Sequence, residues 1–220
     1  MTIPKIAIII ASSLDGRIAF PNGGETHLGS KKDKRMLDEN LSKVDATIFG
    51  LGTLKAHKST YLVKNHFNDN EIEISQNQPI SIVASNSQKF CKDWNYFKQP
   101  IKRWLISNKK RDGSEKIDFE KEIIYKHSWS KTLLSLKKAG INSIALLGGA
   151  KLINSFLKED LVDEIKITIV PRIIGGEFTW IPSKKTNEIF NLKQFWYMQS
   201  IKELDNNEIL IHYKRKIKPN

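Results

Sequence analysis

The chain has 220 residues, 40% hydrophobic and 27% charged, with 36 Lys+Arg against 24 Asp+Glu for a formal net charge of +12. That length and composition fit one globular domain over 1–220, with enough apolar material for a core. A single cysteine, Cys91, excludes an internal disulfide framework and suits a reducing cytoplasm, and no apolar run reaches the roughly 20 residues of a membrane-spanning helix.

The N-terminal "MTIPKIAIIIASSLDG" has one lysine and no small-x-small cleavage site, so it reads as a buried strand rather than a signal peptide. Within it, "KIAIIIAS" (5–12) is a continuous β-branched run of the kind covered on both faces. Turn chemistry follows at Asp15-Gly16 and again over 21–24. Ser30 is placed to cap a helix, and Asp33, three residues on, to complete a capping box; Met36, Leu37, Leu41 and Val44 share one stripe. "ATIFG" (46–50) predicts a second strand that runs into the "LGTLK" turn, and 57–78 reads as a long polar surface excursion.

Further strands are predicted over 79–85, 103–107, 122–126, 141–147 and 162–170, with helices over 130–140, closed by Gly140, and 150–158. "FWYMQSIKELDNNEILIHYK" predicts an antiparallel hairpin around Asp-Asn-Asn. Strands alternating with helices, followed by a terminal hairpin, define an α/β domain with a mixed, mostly parallel sheet.

The segment "IALLGGAKLINSFL" carries a strand through Gly148-Gly149 into a helix. Amides of a helical first turn lack partners and carry partial positive charge, so they receive phosphate well, and glycines let a ligand approach closely. A turn needing positive φ is the ordinary alternative, and the pair is neither a Walker A loop nor G-x-G-x-x-G. The pattern recurs at Gly50-x-Gly52, followed by Thr53, whose hydroxyl could be a plain N-cap. Two such turns in one sheet can flank a single dinucleotide at the carboxyl edge. A third strand end offers Ser85, Asn86, Ser87 and Lys89, suited to a ribose 2′-phosphate or to a polar turn. "SSLDGRIAF" would bring Ser13, Asp15 and Arg17 near the same edge, with Asp15 either a proton-handling or substrate-binding carboxylate or a turn residue.

The five histidines show no H-x-x-x-H spacing and the lone cysteine no C-x-x-C, so no metal is expected. A G-x-S-x-G elbow is missing too, which disfavours a serine hydrolase. The lysines are dispersed, with clusters at Lys31-Lys32, 109–111 and Lys184-Lys185 and a dense tail "HYKRKIKPN". This reads as a solvated basic face compatible with an anionic small molecule, with nucleic-acid binding as the alternative.

The ordered set "SLDGRIA", "GSKKD", "DATIFGLGTLKA" and "LLGGAKLINSFLKEDLVDEIKITIVPRIIGG" resembles the reductase domain of riboflavin biosynthesis, whose fold is dihydrofolate-reductase-like. The resemblance runs from residue 4 to the last strand and implies an NADPH-dependent reductase that opens the ribose of a ribosylamino-pyrimidinone 5′-phosphate to ribityl. It further implies a cytoplasmic homodimer. As cofactor contacts it implies Gly50, Gly52, Thr53, Ser85, Asn86, Gly148, Gly149, Ala150, Lys151 and Leu152. The substrate side would hold Ser13, Arg17 and Ser30, and the proton would come from Asp15 or from water. The chain departs from the family pattern where an arginine is replaced by Leu41, an acidic residue by Leu147, and a "DDP"-like stretch by "KAHKST". With no H-x-E or C-x-x-C deaminase signature, a stand-alone reductase-type domain is expected. The alternatives are another reductase of the same fold, acting on a pterin, a folate or an unknown carbonyl or imine, and a basic nucleic-acid-binding protein without catalysis.

Overall fold

The first strand, β1 (Lys5–Ser13), buries Ile6 and Ile8 on one face of a sheet and packs Ile9 towards Leu41 on the other. This two-sided burial is what its β-branched run predicts. The computed structural model describes residues 2–24, 28–68, 71–87, 89–110, 119–182 and 195–216. The Lys184-Lys185 doublet, Arg111, His27 and the last four residues of the basic tail lie outside the described residues.

After β1 come α1 (Lys31–Leu41), β2 (Ala46–Gly50), α2 (Leu51–His57), the short strands β3 (Lys64–His66) and β4 (Ile72–Ile74), and β5 (Ile80–Ala84). Then follow β6 (Arg103–Ser107), β7 (Lys121–Ile124), α3 (Trp129–Lys138), β8 (Ser143–Gly148), α4 (Ala150–Lys158), β9 (Glu164–Val170), β10 (Trp196–Glu203) and β11 (Ile209–Arg215). Among the described residues, nine strands form one sheet in the order β10-β11-β9-β1-β8-β2-β5-β6-β7, and β3 pairs with β4 in a separate hairpin. Neighbours from β9 to β7 are parallel, whereas β11 lies antiparallel to β9 and β10 antiparallel to β11. The mixed, mostly parallel sheet with a terminal hairpin is therefore present.

Adjacent strand residues feed opposite layers. Ile48, Ile82, Ile106 and Leu146 join a core with Leu133, Leu136, Ile153 and Phe156 of α3 and α4. Phe49, Val83 and Leu105, one position away, join Leu54, Phe90 and Tyr96 on the other face. Four residues of α4 (Leu152, Ile153, Phe156 and Leu157) are buried on one stripe, each worth about 1.5–3 kcal/mol when fully removed from water. Gly140, at φ +96, follows the end of α3 as a left-handed terminator.

Three expectations need correction. Ser30 does cap α1, accepting the Asp33 amide at 3.2 Å, but the capping box is not closed by Asp33. Glu208, buried in the terminal hairpin, accepts the Ser30 amide instead at 3.0 Å, which frees the Asp33 side chain to point elsewhere. The second glycine turn opens a helix capped by Gly50, so Thr53 sits inside the first turn and is not the cap. The excursion over 57–78 contains the β3–β4 hairpin, whose three-residue strands are too short to leave a period in the sequence.

Candidate active site

The carboxyl ends of β8, β2, β5 and β6 are adjacent and open into one cleft of about 1380 Å³. Pockets for a single ligand measure roughly 300–1,000 Å³, so this cleft has room for two. All ten residues singled out as cofactor contacts line it: Gly50, Gly52 and Thr53, then Ser85 and Asn86, then Gly148 through Leu152.

The two glycine turns touch. Phe49 pairs with Gly148 across β2 and β8, with the register slipping by one residue so that Leu147 is the extra residue of a bulge. Such bulges re-aim side chains next to functional sites, and Leu147 lines the cleft. Gly148 and Gly149 both have positive φ, +135 and +77. A Cβ on Gly149 would lie 3.5 Å from Thr53 Oγ1 and 3.8 Å from the Gly50 amide nitrogen. By contrast, Cβ atoms at Gly50 and Gly52 would meet nothing within 4 Å. Backbone from β2 and from the start of α4 thus forms a shallow cradle in which the Thr53 hydroxyl is the nearest side-chain group to Gly149. The amides of Ala150 and Lys151 precede the first intrahelical acceptor, whereas the Leu152 amide donates to the Gly149 carbonyl at 2.8 Å.

Beyond the cradle, Ser85 is buried although its sequence suggests an exposed mouth, and its hydroxyl accepts the Ser87 amide at 3.0 Å. Asn86 Oδ1 accepts the Asn108 amide at 2.9 Å, tying the ends of β5 and β6 together.

The four remaining candidates lie elsewhere. Ser13, Asp15 and Arg17 do not line the cleft, and Ser30 lines a separate hollow of about 210 Å³ with Arg172 and Glu208. Ser13 is buried, and its hydroxyl donates to Asp15 Oδ1 at 2.6 Å while accepting the Arg17 amide at 2.9 Å. Asp15 also accepts the amides of Ile174 and Gly175 at 3.1 and 2.7 Å, and Arg17 Nε approaches it at 3.4 Å. The Ser13 hydroxyl and these two amides hold its carboxyl far below the usual carboxylate range. The geometry makes Asp15 a brace between the loops after β1 and β9.

The other end of the cleft is built from residues the sequence reading passed over. Thr168 on β9 donates to Asp33 Oδ1 on α1 at 2.6 Å. Burial pushes the Asp33 carboxyl up; the Thr168 hydrogen bond opposes this and Glu208 adds to it. A Cβ on Gly29 would overlap the Asp33 carboxylate, so a residue without a side chain is needed there. Lys166 lies two residues before Thr168, and its ammonium donates to Asn40 Oδ1. Burial lowers the Lys166 pKa, partly offset by Glu164. Tyr61 and Lys64 close the outer side. Burial, followed by the Asp38 charge, holds the Tyr61 phenol well above its ordinary range. One signal for this end was present in the sequence. In "EIKITIV" polar Glu164, Lys166 and Thr168 alternate with isoleucines, which marks a strand with one polar face.

Among the described residues no group of three or more His, Cys, Asp and Glu side chains is arranged to hold a metal, and no helix is long and apolar enough to cross a membrane.

The mostly parallel sheet with its terminal antiparallel strands has the dihydrofolate-reductase-like fold. Dihydrofolate reductase from Enterococcus faecalis, solved with NADP(H), superposes with a TM-score of 0.58 at 11% identity, covering 97% of each chain. The chain belongs to the RibD C-terminal domain family, which it matches over residues 4–202. It is 30% identical over 186 residues to the riboflavin biosynthesis protein RibD of Buchnera aphidicola, covering 79% of this chain and 50% of that protein. The chain therefore spans about half the length of that relative. It is 24% identical to the 2,5-diamino-6-ribosylamino-4(3H)-pyrimidinone 5′-phosphate reductase of Archaeoglobus fulgidus, covering 79% of this chain and 83% of that enzyme. RibD of Acinetobacter baumannii superposes with a TM-score of 0.80 at 19% identity, covering 98% of this chain and 59% of that one.

Proposed function

We propose that the chain is an NADPH-dependent reductase of a ribosylamino-pyrimidinone 5′-phosphate, the substrate class named for its relatives. The observation that carries this reading is the approach of the two glycine turns, which leaves one cradle open at the carboxyl edge of β2 and β8 with the Thr53 hydroxyl at its side. Such an edge is where open α/β sheets receive dinucleotides.

The residues fit the cofactor. The first-turn amides of Ala150 and Lys151, at the positive end of α4, receive the diphosphate, and Thr53 adds a hydroxyl beside them. Ser85 and Asn86 stand further along the same edge for the adenosine ribose and its phosphate. Bound NADPH supplies a hydride from the nicotinamide C4. Reduction at the ribosyl C1′ also takes up a proton, and Asp33 is the carboxyl this reading assigns to its delivery. Two carboxyl groups line the cleft, and Glu177 is exposed whereas Asp33 is part-buried and pushed up in pKa. Positioning supplies most of the acceleration, since the reacting atoms belong to cofactor and substrate.

The family's homodimer and cytoplasmic location form part of this reading. Met198, Ile201 and Ile209 expose apolar surface on the terminal hairpin, which suits a second copy; light scattering after gel filtration measures it. The function itself is tested by following loss of the reduced-nicotinamide absorbance with the pyrimidinone phosphate, dihydrofolate and simple carbonyls in parallel. Turnover of the first compound is expected. Turnover of dihydrofolate alone would replace this reading with the pterin alternative.

A further inference from the structure

We propose that Glu208, in the turn of the terminal hairpin, is a positioning residue for Asp33: through the Ser30 cap it fixes the turn of α1 that carries the Asp33 carboxyl into the cleft, and it sets a second carboxylate behind that carboxyl. The inference rests on the reductase reading above, which assigns proton delivery to Asp33, and deepens it.

The hairpin is built to bury this side chain. Asn206 and Asn207 both take φ +59, a left-handed conformation that asparagine adopts more readily than most residues. The Glu208 carbonyl accepts the Leu204 amide at 2.8 Å, and the Glu208 amide donates to the Asp205 carbonyl at 3.2 Å. Glu208 is left 2% exposed, and Ser30 is buried too. The Glu208 Oε2 accepts the Ser30 amide at 3.0 Å, and the Ser30 hydroxyl accepts the Asp33 amide at 3.2 Å. The hairpin reaches the same residue a second way. β11 pairs with β9 so that Leu210, two positions after Glu208, lies opposite Thr168, whose hydroxyl donates to Asp33 Oδ1 at 2.6 Å. Backbone and carboxyl of Asp33 are thus both held from the hairpin, and Gly29 leaves the room that the carboxyl fills.

Leu28 and Gly29 line the cleft and also the separate hollow; Asp33 lines the first and Glu208 the second. Capping an amide needs only an acceptor, and a buried carboxylate costs more to desolvate than a neutral side chain. What the carboxylate adds is negative charge behind Asp33. Burial raises the Asp33 pKa most, the Glu208 charge adds to it, and the Thr168 hydrogen bond and Lys34 oppose both. Lys166, on the same face of β9 as Thr168, is drawn to Asn40 and Glu164. Arg172 lines the hollow from the loop after β9, and the Tyr61 phenol, held neutral by burial, adds no charge.

The test follows kcat against pH, at saturating NADPH and pyrimidinone phosphate, in the wild type, Glu208→Gln, Glu208→Ala and Asp33→Asn. Melting curves across pH are taken for the same proteins and for the Asp33→Asn/Glu208→Gln double variant. A general acid works only while protonated, so turnover falls as pH rises through the Asp33 pKa. Glu208→Gln keeps an acceptor for the Ser30 amide and removes the charge, so this alkaline limb should move towards acid, with kcat beyond it down about threefold or more. On the acid side Glu208→Gln should retain turnover that Glu208→Ala loses, because only the alanine variant releases the cap. NADPH Kd, from tryptophan fluorescence, should stay within about twofold in both. Melting reads the coupling without turnover: at neutral pH the gain from Asp33→Asn should be smaller in the Glu208→Gln background than in the wild type. An unmoved limb in Glu208→Gln, or an equal gain in both backgrounds, overturns the inference. A smaller gain together with wild-type turnover in Asp33→Asn keeps the link between the two carboxyls and overturns the part of Asp33 in the reductase reading instead.

Discussion

Thr168 Oγ1 lies 2.6 Å from Asp33 Oδ1, joining β9 to the first turn of α1. Burial is the main reason that the Asp33 carboxyl is pushed above its ordinary value of 3.8. Between those two values the folded protein binds more protons than the unfolded chain, so this group's contribution to stability falls as pH rises through that window. Asp33→Asn keeps an acceptor for Thr168 and removes the ionisation. The variant should melt higher than wild type at neutral pH, with the advantage shrinking as pH falls towards 3.8. Its turnover should drop about 100-fold or more, the usual scale for losing a proton-handling group. Melting curves across pH, together with NADPH oxidation rates, read both effects. A variant with wild-type turnover would remove Asp33 from the chemistry.

Gly52 and Gly149 separate ligand approach from backbone strain. Gly52 lies inside α2, and a Cβ there would meet no atom within 4 Å, so Gly52→Ala should stabilise the fold by about 0.4–1 kcal/mol. The same methyl group projects into space the cradle keeps open, so NADPH affinity should fall while the melting temperature rises. Gly149 has φ +77, where a side chain costs about 1–2 kcal/mol. A bulky Gly149→Val change therefore weakens the fold as well as the site, and Gly52 is the cleaner probe. Unchanged NADPH affinity in Gly52→Ala would make this turn simple punctuation.

The sequence made the glycine-turn side of the cleft legible because its signals are local. Gly148-Gly149 and Gly50-x-Gly52 each follow a strand directly, and parallel order places both strand ends on one edge. The opposite end, around Asp33 and Thr168, depends on contacts between distant segments. Asp33 meets Thr168 across 135 positions, and Asp38 meets Lys64 across 26. A capping-box reading of Asp33 was locally sound, but Glu208, 178 positions from Ser30, takes the amide that Asp33 would have taken. The partners of Asp15 were equally hidden. Its nearness to a strand end suggested chemistry, whereas the loop after β9 supplies two amides that lock the carboxylate in place.

That lock makes its own prediction. A carboxyl held far below its ordinary value stabilises the fold above the unfolded value of 3.8, and this support fades as pH falls through the folded value. Asp15→Asn should lower the melting temperature at neutral pH, with the difference narrowing in acid. The pH profile of NADPH oxidation should keep its shape, because the group does not titrate in the working range. A lost limb of that profile would restore Asp15 as the proton carrier.

Glu159 supports the far wall of the cleft from behind. Its carboxylate accepts the Ser128 hydroxyl at 2.9 Å and the amides of Trp129 and Ser130 at 2.9 and 3.0 Å, so a residue at the end of α4 caps the start of α3. The negative charge also sits at the positive end of the α3 dipole. Trp129, placed by this cap, packs its ring on Phe156 at 4.6 Å and lines the cleft beside Tyr125. Removing a side-chain cap costs about 0.5–2 kcal/mol. Glu159→Ala should fall at the upper end of that range, because three donors lose one acceptor together. Glu159→Gln keeps an acceptor without the charge and should cost about half as much. Urea unfolding with an unchanged slope measures both. Equal loss in the two variants would assign the effect to charge rather than to hydrogen bonding.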